Sequence, residues 1–114
     1  MTMEYLLLIY KDESRDGEFD WAQISQDYAT FSKELVEAGA MRDGRRLQPS
    51  DTCTTVAVRD GEHLVTDGPF GEAREQLGGY YLLDCGDLDE ALRWARRCPG
   101  ASHGTVEIRP VAPI

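Results

Sequence analysis

The chain has 114 residues, with 12 Lys and Arg against 21 Asp and Glu and a formal net charge of −9. That length predicts a single domain over residues 1–114 with a real core, and is too short for two independent ones. The acidic balance repels a phosphate backbone and an anionic membrane surface, so neither direct nucleic-acid binding nor membrane association is expected.

Cys53, Cys85 and Cys98 are odd in number and form no C-x-x-C, so they read as reduced thiols. The start Met1-Thr2-Met3-Glu4-Tyr5 lacks the basic residues that precede the apolar core of a signal peptide. No apolar run approaches the roughly 18 residues of a membrane span. The expected location is the cytoplasm.

Tyr5-Leu6-Leu7-Leu8-Ile9-Tyr10 is a short, nearly continuous apolar run and predicts a first strand, stopped by the polar string 11–17. Asp20 with Gln23 resembles a capping box. From there Trp21, Ile24, Tyr28, Phe31, Leu35 and Ala38 recur at steps of three or four, which predicts a helix over 21–38 closed by Gly39. Residues 41–47 are ambiguous, because charges and Gly44 dilute the pattern, and read as irregular or a short edge strand. Residues 54–59, then Asp60-Gly61, then 62–66 form a hairpin with a two-residue turn. Asp67-Gly68-Pro69 is rigid turn chemistry that fixes where Asp67 and Phe70 point. A polar link over 71–76, with room for one helical turn, leads to a strand over 79–84. Asp87 with Glu90 caps a second helix with an apolar stripe of Leu88, Ala91, Leu92 and Ala95, ended by Pro99-Gly100. Residues 105–109 alternate as a last strand.

The order is strand, helix, hairpin and strand, helix, strand. It matches the α+β class, specifically a ferredoxin-like split βαβ plan with an extra hairpin. Two helices can cover one face of such a sheet, yet strand one is apolar in both directions, with Tyr5, Leu7 and Ile9 opposite Leu6, Leu8 and Tyr10. Tyr81 and Leu83 oppose Tyr80 and Leu82 in the same way. A second copy of the sheet is the simplest cover, which predicts a homodimer.

Four stretches carry a family resemblance: the start from Met3 to Tyr10, Val65-Thr66-Asp67-Gly68-Pro69-Phe70, Glu75-Gln76-Leu77-Gly78-Gly79-Tyr80-Tyr81-Leu82, and Gly104-Thr105-Val106-Glu107-Ile108-Arg109-Pro110. Together they resemble the YCII-related family, in particular its branch with the Asp-Gly-Pro-Phe motif, over nearly the whole chain. The resemblance implies a dimeric α+β barrel of ferredoxin-like protomers. It implies little about activity, because most of the family has no assigned reaction. It also suggests a regulatory context, since members of this branch are often encoded beside, or joined to, extracytoplasmic-function sigma factors. The His and Asp proposed as an acid-base pair in the better-studied branch are not carried over, because helix one here holds no His.

Candidate chemistry has a bland alternative at each position. Asp67 is a candidate general base or ligand-binding carboxylate, or it caps its own turn, which would hold its pKa low. Glu75, Tyr80 and Glu107, with Phe70, are candidate ligand-binding residues, because a Tyr hydroxyl beside a carboxylate can orient or protonate a small substrate. Against that, Glu107 and Arg109 alternate with Val106 and Ile108 as an exposed strand face would, and Tyr80 can be core with its hydroxyl at the rim. His103 is the candidate acid-base histidine, lying just before the strand that carries Glu107, whereas His63 follows the hairpin turn and reads as exposed. No metal-ligand spacing, nucleophile elbow or phosphate loop is present, so no cofactor is called for. Gly78-Gly79 reads instead as a strand start where another backbone comes close. The arginines bunch at Arg42, Arg45 and Arg46 and again at Arg93, Arg96 and Arg97, which leaves a local anion site or an acidic protein partner open beside the commoner reading of a solvated face. The sequence supports a small-ligand-binding or cofactor-free catalytic barrel, a regulatory module whose sigma-factor contacts would use the acidic surface or these arginine clusters, or a dimeric domain whose Asp-Gly-Pro-Phe element is purely structural.

Overall fold

The computed structural model describes residues 2–113. Chain order is β1 (Met3–Lys11), α1 (Trp21–Glu37), β2 (Met41–Arg46), β3 (Thr54–Arg59), β4 (Glu62–Asp67), β5 (Gln76–Cys85), α2 (Leu88–Arg97), α3 (Gly100–His103) and β6 (Thr105–Pro110). Short 3-10 helices over Glu13–Glu18 and Ser50–Thr52 occupy two of the links. Four strands make an antiparallel sheet in the order β2-β5-β1-β6, and β3-β4 stand apart as a two-stranded ribbon. The result is a mixed α+β architecture consistent with the ferredoxin-like plan.

Local chemistry explains most of the boundaries. The Asp20 carboxylate accepts from the Gln23 N–H to start α1. The helix ends in a Schellman motif: Gly39, at φ 72°, donates to the Val36 carbonyl and Ala40 to that of Leu35. Asp87 caps α2 by accepting from the Glu90 N–H. Asp60 and Gly61 both have positive φ, 51° and 79°, which defines the type I′ turn that suits a tight hairpin. The Asp67-Gly68-Pro69 turn is held from β3. Gly68 donates to the Cys53 carbonyl at 2.8 Å, and the Thr55 hydroxyl donates to the Gly68 carbonyl at 2.6 Å. Among the described residues no hydrogen bond to the Asp67 carboxylate takes part.

The ambiguous segment 41–47 is a true strand, β2, at the edge of the sheet. A bulge between Met41 and Asp43 interrupts its pairing with β5. The link 71–76 contains no helical turn, and β5 begins earlier than the pattern suggests, at Gln76. Pro99 and Gly100 end α2 and then open the further turn α3. The α2 stripe is also rotated from expectation: Leu88 and Leu92 are exposed, while Trp94 is buried with its ring edge-on to Phe31 at 6.1 Å. A large aromatic removes more apolar area from water than either leucine, so it sets the rotation of the helix.

The core lies between the sheet and α1–α2. Tyr5, Leu7 and Ile9 of β1 and Tyr81, Leu83 and Cys85 of β5 meet Phe31, Leu35, Ala91, Trp94 and Ala95. The other sheet face carries Leu6, Leu8, Tyr10, Tyr80 and Leu82, all half-buried with no described helix over them. Charged pairs frame it: Arg42 with Asp84, Arg45 with Asp43, and Arg109 with Glu107. A radius of gyration of 16.0 Å against roughly 13 Å for a compact domain of similar length, with extents of 46 × 40 × 17 Å, reflects this single covered face and the projecting β3-β4 ribbon. No described helix is long and apolar enough to cross a membrane.

Gly78-Gly79 tests how tightly β5 approaches β2. A Cβ on Gly79 would lie 2.8 Å from the Arg45 carbonyl oxygen, whereas one on Gly78 would meet nothing closer than 3.7 Å. Gly79→Ala is therefore expected to cost about 1–3 kcal/mol more in urea unfolding than Gly78→Ala, as overpacking against backbone does. Equal losses would remove the close approach as the reason for the glycine.

Candidate functional site

At one end of the covered face the packing opens into a cavity of about 330 Å³ between α1, α3 and the sheet. Its floor comes from Ile9 and from Gly44, Gly78 and Gly79, positions where the strands present no side chain. The first turns of α1 form the roof. Trp21, Ser25, Tyr28 and Ser32 recur at steps of four, three and four and so share one helical face over the cavity. Gly100, at the start of α3, packs tightly enough that a Cβ there would lie 2.6 Å from both Ile9 Cγ2 and the Tyr28 hydroxyl. His103, the last residue of α3, faces the same space.

Hydroxyls and an imidazole converge on this volume. Tyr81 and Ser32 hydroxyls lie 2.7 Å apart in a hydrogen bond. Burial raises the Tyr81 hydroxyl above the usual phenol range, opposed by its bond with Ser32. Burial and the adjoining Cys98 thiol raise Tyr28 strongly, so both phenols stay protonated. His103 packs against Phe19 with ring centroids at 5.2 Å and against Trp21 at 6.1 Å. Burial lowers its pKa below the usual 6.5, with the Lys11 ammonium acting in the same direction and Asp27 opposing it. The imidazole is therefore neutral at pH 7 and able to accept a proton.

The mouth is charged. Lys11 Nζ lies 4.4 Å over the Trp21 ring and 3.1 Å from Asp16 Oδ2, and the Trp21 indole donates to the Asp16 carbonyl at 2.7 Å. Arg46 stands opposite Gly79 in the register, which puts it on the helix-covered side of the edge strand beside Lys11. It is exposed and makes no ion pair among the described residues.

Of the residues singled out in the sequence, His103 lines the cavity. Tyr80 borders it, but its hydroxyl points to the other sheet face and donates to Asp43 Oδ2 at 2.9 Å. That bond raises Tyr80 and lowers Asp43. The remaining four lie elsewhere. Asp67 and Phe70 are exposed at the root of the β3-β4 ribbon, with Phe70 83% exposed, and Glu75 is half-buried just before β5. Glu107 is exposed on the uncovered face opposite Leu8, bonded to Arg109 at 3.2 Å. Lys11, Tyr28, Ser32 and Tyr81 enter the site without having been singled out for it, and Arg46 enters it from the first arginine cluster. Trp21, Ser25, Tyr28 and Ser32 carried a usable signal, since hydroxyls flanking an aromatic stripe mark a half-wet helix face. Arg97, in the second arginine cluster, is tied to Glu34 of α1 and lies 4.7 Å over the Trp94 ring.

An uncharacterized protein of Rhizobium meliloti (strain 1021) is 40% identical over 115 residues, an alignment that spans 96% of this chain and 93% of that protein. The model of the YCII-related domain matches residues 3–114. A match over that span, together with the α+β sheet and its helices on one face, means that the chain belongs to the YCII-related domain family.

Proposed function

We propose that the chain is a homodimeric α+β barrel that binds a small organic molecule in the cavity beneath α1 and uses His103 to move a proton on it without a cofactor. The observation that carries this reading is the cavity itself, where a neutral imidazole and the Tyr28, Tyr81 and Ser32 hydroxyls face one volume walled by apolar side chains. A size of about 330 Å³ suits a ligand with one ring or its equivalent. The Asp67-Gly68-Pro69-Phe70 run supports assignment to the branch of the family that carries this motif. Three free cysteines fit a reducing, cytoplasmic setting.

Dimerisation draws its support from the uncovered sheet face. Leu6, Leu8, Tyr10, Tyr80 and Leu82 form an apolar centre framed by charges of both signs, the pattern an isologous interface needs for self-complementarity. Exposed Val56, Val65 and Phe70 add apolar area that a partner can cover. The alternative reading, a regulatory module acting with a sigma factor, has less to stand on, since Arg97 of its candidate surface is already engaged within the chain.

Three measurements test the reading. In sedimentation velocity at micromolar concentration the protein is expected at twice the 12.8 kDa chain mass. Leu6→Lys is expected to sediment as a folded monomer, and a monomeric wild type would overturn the dimer. In a thermal-shift screen of small organic compounds, ligands that stabilise the wild type are expected to lose their effect on Ser25→Phe, which fills the cavity from an exposed helix position and should itself melt within about 5 °C of wild type. Undiminished stabilisation would move the site elsewhere. The third concerns pH. His103 takes up its proton less readily folded than unfolded, so its contribution to stability is fully present above about 6.5 and is lost as pH falls through the lowered folded value. His103→Gln is expected to flatten that segment of the melting-temperature profile, and an unchanged slope would count against a half-buried neutral imidazole.

A further inference from the structure

We propose that the cavity selects a monoanionic, flat, apolar ligand, a small organic carboxylate whose acid group sits at the mouth between Arg46 and Lys11. This rests on the reading of the cavity as the ligand site and adds the chemical class that it takes.

The chain as a whole carries −9, so its surface field disfavours anions nearly everywhere. The cavity mouth is an exception. Lys11 and Arg46 both border it, and Asp16 engages only Lys11, at 3.1 Å. One positive charge is left uncompensated, on an arginine whose neighbour Arg45 is already held by Asp43 at 2.7 Å. A guanidinium meets a carboxylate with two parallel N–H bonds, a geometry that an ammonium lacks. The nearby Asp16 carboxylate, with Oδ1 lacking a hydrogen-bond partner among the described residues, adds repulsion against a second negative charge. A singly charged carboxylate fits this balance better than a dianionic phosphate.

Behind the mouth the walls change character. Ile9, Ile24, Trp21 and Tyr28 are apolar or aromatic, and glycines at 44, 78 and 79 leave a flat backbone floor. A planar body lies between such a floor and the Trp21 and Tyr28 rings with its acid end outward. His103 then stands beside the body of the ligand, where proton transfer to or from a carbon or oxygen near the ring is within its reach.

The test uses full-length protein and a matched pair of probes, 3-phenylpropionate and its neutral amide, followed by the indole N–H signals in proton-nitrogen spectra. The chain has two tryptophans. Trp21 lines the cavity and Trp94 does not, so the second serves as an internal control. The acid is expected to shift the Trp21 signal with at least about tenfold tighter binding than the amide. Arg46→Gln, at an exposed position, should bring the acid down to the level of the amide while leaving amide binding unchanged. Equal binding of the two probes to the wild type, or acid binding indifferent to Arg46→Gln, would overturn the anion proposal and leave the cavity as a ligand site. If neither probe moves Trp21 at about 10 mM, beyond the weak end of useful affinity, both readings fall together.

Discussion

Strand β1 occupies the one position from which the fold can be built. It is hydrogen-bonded to β5 on one side and β6 on the other, so it is the only described strand other than β5 with a partner on both edges. Its alternation sends Tyr5, Leu7 and Ile9 into the helical layer, where Leu7 meets Leu35 and Leu83 in a cluster from which water is fully excluded. Each such leucine contributes about 1.5–3 kcal/mol by its removal from water. The same alternation obliges Leu6, Leu8 and Tyr10 to face the other way. A strand cannot be apolar on one side for the helices and escape the consequences of being apolar on the other, and the molecule's thin, one-sided shape follows from that geometry.

The cavity is the helical layer's unfinished half. Toward the C-terminal end of α1, Phe31 and Leu35 fill the space above Tyr81, Leu83 and Cys85, with Phe31 edge-on to Tyr81 at 5.3 Å. Toward its N-terminal end the strands offer Gly44, Gly78 and Gly79, whose bare backbone lines the open volume. The bulge between Ile9 and Tyr10, where β1 slips against β5, falls at the same end and places Lys11 beneath Trp21. Bare strand backbone and register bound the room on the sheet side.

Elements whose stability is local were legible in the residues. The two helix starts have Asp caps, α1 has its Gly39 stop, and the ribbon has Asp60-Gly61, all interactions spanning six residues or fewer. What resisted reading depends on distant partners. β2 has a poor strand pattern of its own and forms because β5 pairs with it across some forty residues of sequence. The rotation of α2 is set by Trp94 finding Phe31, which its periodicity alone does not reveal. The site divides in the same way. His103 stood out as a titratable group beside a strand, while Arg46 and Lys11 meet only through strand register, and the Trp21–Ser32 face of α1 looked like ordinary core because its aromatics lie on the core stripe.

The three thiols illustrate how unevenly this architecture exposes its chemistry. Cys85 and Cys98 are sealed in the core, where burial and neighbouring carboxylates push Cys85 up to about 11 and burial raises Cys98. Both are thereby held as unreactive thiols at neutral pH. Cys53 alone is partly open, and its carbonyl anchors the turn at the base of the β3-β4 ribbon. A maleimide dye added to the native chain will thus attach chiefly there, giving a natural fluorescent handle on the ribbon without any engineered cysteine.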